Sequence, residues 1–317
     1  MVENDTCPVN PPRRETHATE YHFMNLDLIH SYKSSASSRN SSVLILTPLK
    51  DAARYLEGYF EHLAKIDYPK ELVSLGFMVS TYHNDTDIND TTLDNTLSPL
   101  LDHIEPLLKS QAYKRITILQ ESTKVHIPHA ERHAANVQEL RRKELAKSRN
   151  TLLTSTLSDE SWVLWLDVDV IQYSPGLLKE LIQLDKDVVA PNCFRKVRKF
   201  PFGTKTEPYD RNNWIETTES RALQRNLEHD DILFEGYENP TYRLSMTDLN
   251  QHDTLPLIPI DGVGATFTLV KATVHRLGIN FPMYPTDHAI ETEGFAKWAK
   301  HVGFSVFGAP HTIVYHD

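Results

Sequence analysis

The run Trp162-Val163-Leu164-Trp165-Leu166-Asp167-Val168-Asp169 decides how the rest of this chain is read. Five apolar residues without polar alternation are the pattern of a strand buried on both faces, the usual condition of strands in a parallel sheet. Two carboxylates follow at its end, a position that costs free energy unless something positive meets them. Two readings of the pair stay open. A divalent cation that also grips a diphosphate would offset the cost, and such oxygens suit a hard ion, Mg2+ or Mn2+. The other reading is a solvated turn, where Asp is common for its local hydrogen bonding.

Outward from this stretch the pattern alternates. Val43 to Thr47 is an apolar strand closed by Pro48, followed by a helical stretch through Leu56, Phe60, Leu63 and Ile66 that stops at Tyr68-Pro69. Leu72 to Thr81 reads as a second strand, Asn84 to Asn95 as an acidic surface loop, Leu97 to Leu108 as a helix and Arg115 to Gln120 as a third strand. A long helix from about Glu131 to Leu157 leads into the strand at 162. Strands alternating with helices predict an α/β fold with a mostly parallel central sheet flanked by helices. Ligands of such sheets bind beyond the carboxyl ends of the strands, which groups Asp167 and Asp169 with Pro48, Lys50 and Asp51. Past about residue 190 the alternation weakens into short strands and loops until Phe304 to Val306 and Thr312 to Tyr315. The expected organisation is a polar arm or stem over 1–41 and one domain over 42–317, with a first half over about 42–190 that carries the strand-end binding edge and a mixed second half over about 191–317 that completes it.

Composition narrows the partners. The 317 residues carry 33 basic and 43 acidic side chains, a formal net charge of −10, which argues against a nucleic-acid duplex. No stretch approaches eighteen consecutive apolar residues, and Met1 to Pro12 lacks an apolar signal core. The chain therefore reads either as soluble in its own right or as a luminal piece separated from an anchor. Cys7 and Cys193 permit at most one bridge, and Asn4, Asn40, Asn84 and Asn89 head Asn-x-Ser/Thr sequons.

One region is strongly basic for so acidic a chain: Arg132-His133, Arg141-Arg142-Lys143 and Lys147-Ser148-Arg149. At 100° per residue, Arg142 and Arg149 fall about 20° apart on one helix face. Such a pair can grip phosphate oxygens in bidentate fashion, while an ordinary solvated charged face is the other reading. At the far end, His316 emerges from the strand-like Thr312 to Tyr315 and could serve as a third metal ligand, or be a terminal histidine with no such role. An imidazole in the site would favour Mn2+ over Mg2+.

Taken together, Leu46-Thr47-Pro48-Leu49-Lys50-Asp51-Ala52-Ala53, Arg141-Arg142 with Arg149-Asn150, and Asp167-Val168-Asp169 match a known pattern, continued by Pro208-Tyr209-Asp210, Glu235-Gly236-Tyr237 and Asp261-Gly262-Val263-Gly264. Ile290-Glu291-Thr292-Glu293-Gly294-Phe295 and Val314-Tyr315-His316 complete it. From about Ser42 to His316 the chain resembles the fungal Golgi α-mannosyltransferases of glycosyltransferase family 62, subunits of the mannan polymerase complexes. The resemblance implies a GT-A fold with a Rossmann-like sheet, GDP-mannose as donor, Mn2+ as cofactor and retention of the α configuration. It also implies a type II membrane protein of the Golgi, whose anchor is absent from this chain, and hetero-oligomers with related subunits. Carried over by position, Asp167, Asp169 and His316 hold the metal. Pro48, Lys50 and Asp51 lie against the nucleotide, with Arg142 and Arg149 near its ribose and phosphates, and Asp210 touches the donor sugar. Asp261, Glu291 and Glu293 line the region where mannose meets its mannosylated glycan acceptor. The chain departs from the family pattern at Leu166, at Ala265-Thr266, at Thr286-Asp287-His288 and at Lys297-Trp298, which leaves α-1,6 or α-1,2 linkage and subunit type open.

Retaining transfer needs either attack on the face the leaving group vacates or two inversions through a covalent intermediate. The resemblance favours the first, with a β-phosphate oxygen taking the acceptor's proton and preorganised carboxylates stabilising oxocarbenium character. Plainer roles stand beside these. Gly262 and Gly264 could serve a tight turn. Glu291 and Glu293 could open a helix whose inner face is Phe295 and Trp298, favoured there by the helix dipole. Asp210 could be a turn residue, and Trp162, Trp165 and Trp214 read as core rather than sugar platforms. The rival to an active transferase is a scaffold subunit that lacks catalysis of its own.

Overall fold

The computed structural model describes residues 41–82, 95–123, 125, 127, 131, 134–199, 203–237, 240–249 and 255–317. The expected arm, all four sequons, Cys7, Arg132-His133 and most of the acidic loop lie outside these residues. The first half alternates as its apolar pattern predicts: β1 (Val43–Leu49), α1 (Leu56–Lys65), β2 (Val73–Tyr82), α2 (Leu97–Ser110), β3 (Arg115–Thr123), α3 (Gln138–Thr156) and β4 (Trp162–Leu166). There follow β5 (Val170–Gln172), α4 (Leu177–Gln183), β6 (Val188–Lys199), β7 (Gly203–Pro208), β8 (Trp214–Ile215) and α5 (Thr218–Gln224). The remainder comprises β9 (Leu244–Ser245), α6 (Met246–Leu249), β10 (Ile258–Pro259), β11 (Phe267–Lys271), α7 (Ala272–Arg276), α8 (Glu291–His301) and β12 (Val306–His316).

One ten-stranded sheet runs in the order β10-β12-β6-β11-β4-β1-β2-β3, with β5 added on β12 and β7 on β6. β4, β1, β2 and β3 are parallel neighbours, and β12 is parallel to β6. Between these parallel blocks β11 runs antiparallel to both β4 and β6, so residues from the two expected halves share one sheet. Period-two alternation sorts the core onto two faces. Val43, Ile45, Trp162, Leu164 and Leu166 pack beside residues of α1, α2 and α4 on one face. Leu44, Leu46, Val163 and Trp165 pack with residues of α3 and α8 on the other. Trp162, Trp165 and Trp214 are fully buried, as expected of core side chains.

Three boundaries differ from expectation. β1 continues through Pro48 to Leu49 instead of closing there. Pro48 lies two residues beyond Leu46, the last residue paired with β4, so the strand is paired only with β2 where the N–H is missing. The long helix begins at Gln138 rather than near Glu131, after a tight turn over Ala135–Val137. The two short strands expected near the end are one strand, β12, irregular between Ala309 and Ile313 around Pro310. In α8 the inner face includes Phe295, whereas Trp298 is 38% exposed and faces outward.

Candidate active site

The carboxyl ends of β1, β2, β3 and β4 open onto a cavity of about 280 Å3. Pro48, Lys50 and Asp51 line it after β1, Ser80 at β2, Glu121 and Thr123 at β3, and Asp167 and Asp169 after β4. α3 closes one side with Arg141, Glu144, Lys147 and Arg149. A second cavity of about 510 Å3 lies against it, bordered by Arg142, Tyr209, Asp210, Glu235, Tyr237 and Glu291. Arg141, Leu145, Arg149 and Asp167 line both, so the two chambers share one wall.

At that wall the carboxylates sit in contrasting settings. Burial pushes the Asp167 carboxyl up to about 7, with the Asp169 charge adding to the rise and the Arg149 guanidinium, 3.7 Å away, opposing it. Asp169 instead meets His316, Nε2 to Oδ1 at 2.9 Å. Pairing of β12 with β5, His316 opposite Val170, brings the imidazole to this turn. Its Nδ1–H donates to the main-chain oxygen of Asp317 at 2.9 Å, which fixes the ring and aims Nε2 at the carboxylate. Tyr209 stacks on the ring with centroids 3.7 Å apart. Burial works against the imidazolium, but the Asp169 hydrogen bond and charge outweigh it and raise the His316 pKa.

Among the described residues no three His, Cys, Asp or Glu side chains form a ready cage for a metal. The expected trio of Asp167, Asp169 and His316 is thus not preformed; two of its members touch and the third leans on Arg149. This donor set fits a divalent ion that takes one or two protein ligands and completes its shell with phosphate oxygens and water. Two carboxylates close together at this turn, one with Arg149 no nearer than 3.7 Å and the other on His316, mark where a further positive charge is accommodated.

The two predicted arginines are both buried, at 6% exposure, on one face of α3. Arg149 reaches Glu291 through Nη1, while its Nε is buried without a partner among the described residues. Arg142 pairs with Glu293 and donates to Asn212 Oδ1 at 3.3 Å. Glu293 is wholly buried and also accepts from Trp214 Nε1 at 2.7 Å, with Arg243 Nη1 3.6 Å away. It lines neither chamber and braces the wall behind. Glu291 does line the larger chamber, and its backbone sits at φ +57°, a left-handed conformation that a non-glycine residue adopts at a cost.

Asp210 is buried in the larger chamber, accepting from Asn212 N at 3.0 Å and from Thr266 Oγ1 at 2.9 Å. Burial raises its pKa, helped by the Glu293 and Glu291 charges and opposed by those two hydrogen bonds. The glycine at 264 is required by this carboxylate: a Cβ there would stand 1.8 Å from Asp210 Oδ2. At Gly262 a Cβ would stand 2.2 Å from the Trp214 ring, so close approach, not a left-handed turn, explains both. Asp261 is not brought to this site. It pairs with Lys300, accepts from Glu216 N at 2.8 Å, and lines a separate cavity of about 600 Å3.

Sequence reasoning gave no role to Tyr209, Glu235, Tyr237 or Arg243, nor to Ser80, Glu121, Thr123 and Glu144 of the smaller chamber. The tripeptides holding Tyr209, Glu235 and Tyr237 stood in the matched pattern; the others carried no local signal.

The sequence profile of the Anp1 family matches residues 20–285. The mannan polymerase complex subunit mnn9 of Schizosaccharomyces pombe is 40% identical over 289 residues, covering 90% of this chain and 82% of that protein. The mannan polymerase complex subunit MNN9 of Candida albicans is 37% identical over 89% of this chain and 76% of its own length. The mannan polymerase I complex VAN1 subunit of Saccharomyces cerevisiae is 32% identical over 86% of this chain and 60% of its own. Among solved structures, the mannosyltransferase PcManGT from Pyrobaculum calidifontis in complex with GDP-Man and Mn2+ gives a TM-score of 0.46 at 13% identity, covering 92% of this chain and 65% of that one.

Proposed function

The chain belongs to the Anp1 family, and from that premise we propose that it is a retaining α-mannosyltransferase of GT-A fold, moving mannose from GDP-mannose to a mannosylated acceptor. What supports this most is the shared wall: a chamber at the strand ends, a second chamber lined with carboxylates, and Asp167 with Arg149 between them. Relatives named as mannan polymerase subunits supply the substrate class. In this reading the nucleotide lies along Pro48, Lys50 and Asp51, and its diphosphate reaches the wall. Arg149, whose buried Nε has no partner among the described residues, donates to the phosphates. Arg142 is held in place by Glu293 and keeps the inner wall of the mannose chamber charged and rigid.

Asp169 and His316 would hold a divalent ion, Mn2+ by preference for the imidazole, with Mg2+ a weaker substitute. That ion would supply neutralisation of the charge that builds on the leaving diphosphate. Asp210 and Glu291 face the sugar. Their negative charge favours oxocarbenium character at the anomeric carbon, and the hydrogen bonds from Asn212 and Thr266 keep Asp210 from swinging. Attack on the vacated face, with a phosphate oxygen taking the acceptor's proton, retains the α configuration without a covalent intermediate. Asp261 and Glu293 take no part at the reacting atoms. Assembly with related subunits is supported by the relatives' names, and a Golgi setting by the resemblance alone. No helix among the described residues is long and apolar enough to cross a membrane.

Two measurements test this. With Mn2+ present, GDP should raise the Tm more than UDP at equal concentration, since a ligand stabilises according to its affinity. The purified chain should then transfer mannose from GDP-mannose to an α-mannobiose acceptor. GDP binding without transfer under any metal points instead to a scaffold subunit, and stronger stabilisation by UDP removes the donor assignment.

A further inference from the structure

Ionisable side chains stand at both ends of the smaller chamber. Toward β4 stand the Asp167–Asp169 turn and Arg149; toward β3 stand Glu121, Thr123 and Glu144. β4, β1, β2 and β3 are consecutive neighbours, so three strand spacings of about 4.8 Å, roughly 14 Å, separate the ends. That is the reach from a diphosphate through a ribose to the far edge of a nucleobase. Acids at the β3 end are remote from any phosphate, so whatever they meet must bring hydrogen-bond donors.

The two acids are not equivalent. Glu121 is already paired with Lys147, Oε1 to Nζ at 2.8 Å. Glu144 accepts at Oε2 from Thr123 Oγ1 at 3.0 Å, and that hydroxyl in turn accepts from Val125 N at 3.1 Å. The main-chain N–H thereby sets the hydroxyl, and the hydroxyl sets the carboxylate. Leu145 and Ile127, beside it in the chamber wall, supply apolar surface against which a flat ring can lie.

We propose that Glu144 is the residue that selects a guanine nucleotide, its carboxylate accepting from the ring N1–H and the 2-amino group, with Thr123 as its positioning residue. This rests on the reading of the smaller chamber as the donor site. A carboxylate rewards two adjacent N–H donors; uracil offers one donor between two carbonyls, which the same group repels, and adenine has no N1–H. A carboxylate placed to accept from two donors also favours the ligand that brings both over the analogue that lacks one.

The experiment is calorimetric titration of the full chain with GDP, IDP and UDP, each with Mn2+, using wild type, Glu144→Ala and Thr123→Val. IDP lacks only the 2-amino group. Wild type should bind GDP about tenfold more tightly than IDP, the worth of one charged hydrogen bond. In Glu144→Ala the GDP-to-IDP ratio should fall to near one while UDP affinity holds; in Thr123→Val it should fall partway. Tight GDP binding with the ratio unchanged in Glu144→Ala, or no preference for GDP over IDP in wild type, overturns the assignment and leaves the donor reading standing. Wild-type preference for UDP overturns the donor reading, and this inference with it.

Discussion

Two charged clusters lie on either side of the same helix face and are built to opposite specifications. Behind α3, Glu293 is fully enclosed and surrounded by Arg142, Arg243 and Trp214, so its charge is matched from within. In front, Asp167 is partly exposed, crowded by Asp169, and drawn toward protonation. A charge that the protein itself compensates holds the fold, and a charge left in deficit waits for something to arrive. Burial alone does not separate such carboxylates, because Asp210 and Glu293 are both buried yet only Asp210 faces an open chamber.

The comparison is broken most severely at the open cluster. Asp169→Ala should lower Mn2+-dependent mannose transfer by about a thousandfold or more, the scale of losing a Lewis acid worth several kcal/mol, while leaving the fold intact by circular dichroism. Retained Mn2+-dependent GDP binding in that variant would remove Asp169 from the metal site. At the closed cluster the pattern inverts. Glu293→Leu strands two buried guanidinium groups and should destabilise the fold by about 3–5 kcal/mol, read from urea midpoints. An unchanged midpoint would mean that Arg142 and Arg243 find other partners.

The smallest effect concerns pH. The Asp167 pKa is raised from an ordinary 3.8 to about 7, so the folded state binds more protons than the unfolded state between those values. Stability attributable to this group is therefore full below about pH 4 and declines as pH rises toward 7. Glu160, buried and paired with Arg115 at 2.8 Å, has a lowered pKa despite its burial; its contribution is present above its ordinary 4.5 and lost as pH falls below it. Asp167→Asn should accordingly raise the metal-free Tm at pH 8 by on the order of a few degrees and change nothing at pH 4. A wild-type Tm difference that persists unchanged at pH 4 would show that the substitution acts by packing instead.

What the sequence revealed, and what it hid, follows from range. β4 was legible to the residue because five large apolar side chains with acids behind them have few alternatives. The grouping of Pro48, Lys50, Asp51, Asp167 and Asp169 followed from the rule that places ligands at strand ends, and the structure gathers all five around one chamber. Glu293 was not legible as a brace, because its partner Arg142 lies 151 positions away and no local pattern announces such a pair. Gly264 looked like a turn because the need for an absent Cβ arises from Asp210, another long-range neighbour. Asp261 shared the matched pattern with true chamber residues and yet points elsewhere, since adjacency to Gly262 says nothing about which way a carboxylate turns.

Arg149 belongs to both chambers, touching Asp167 on one side and Glu291 on the other. A guanidinium recruited by a diphosphate is withdrawn to that extent from Glu291, so occupancy of one compartment alters the free energy of filling its neighbour. Thermodynamic reciprocity then makes the two influences equal: whatever factor a nucleotide imposes on a sugar's affinity, the sugar imposes on the nucleotide's.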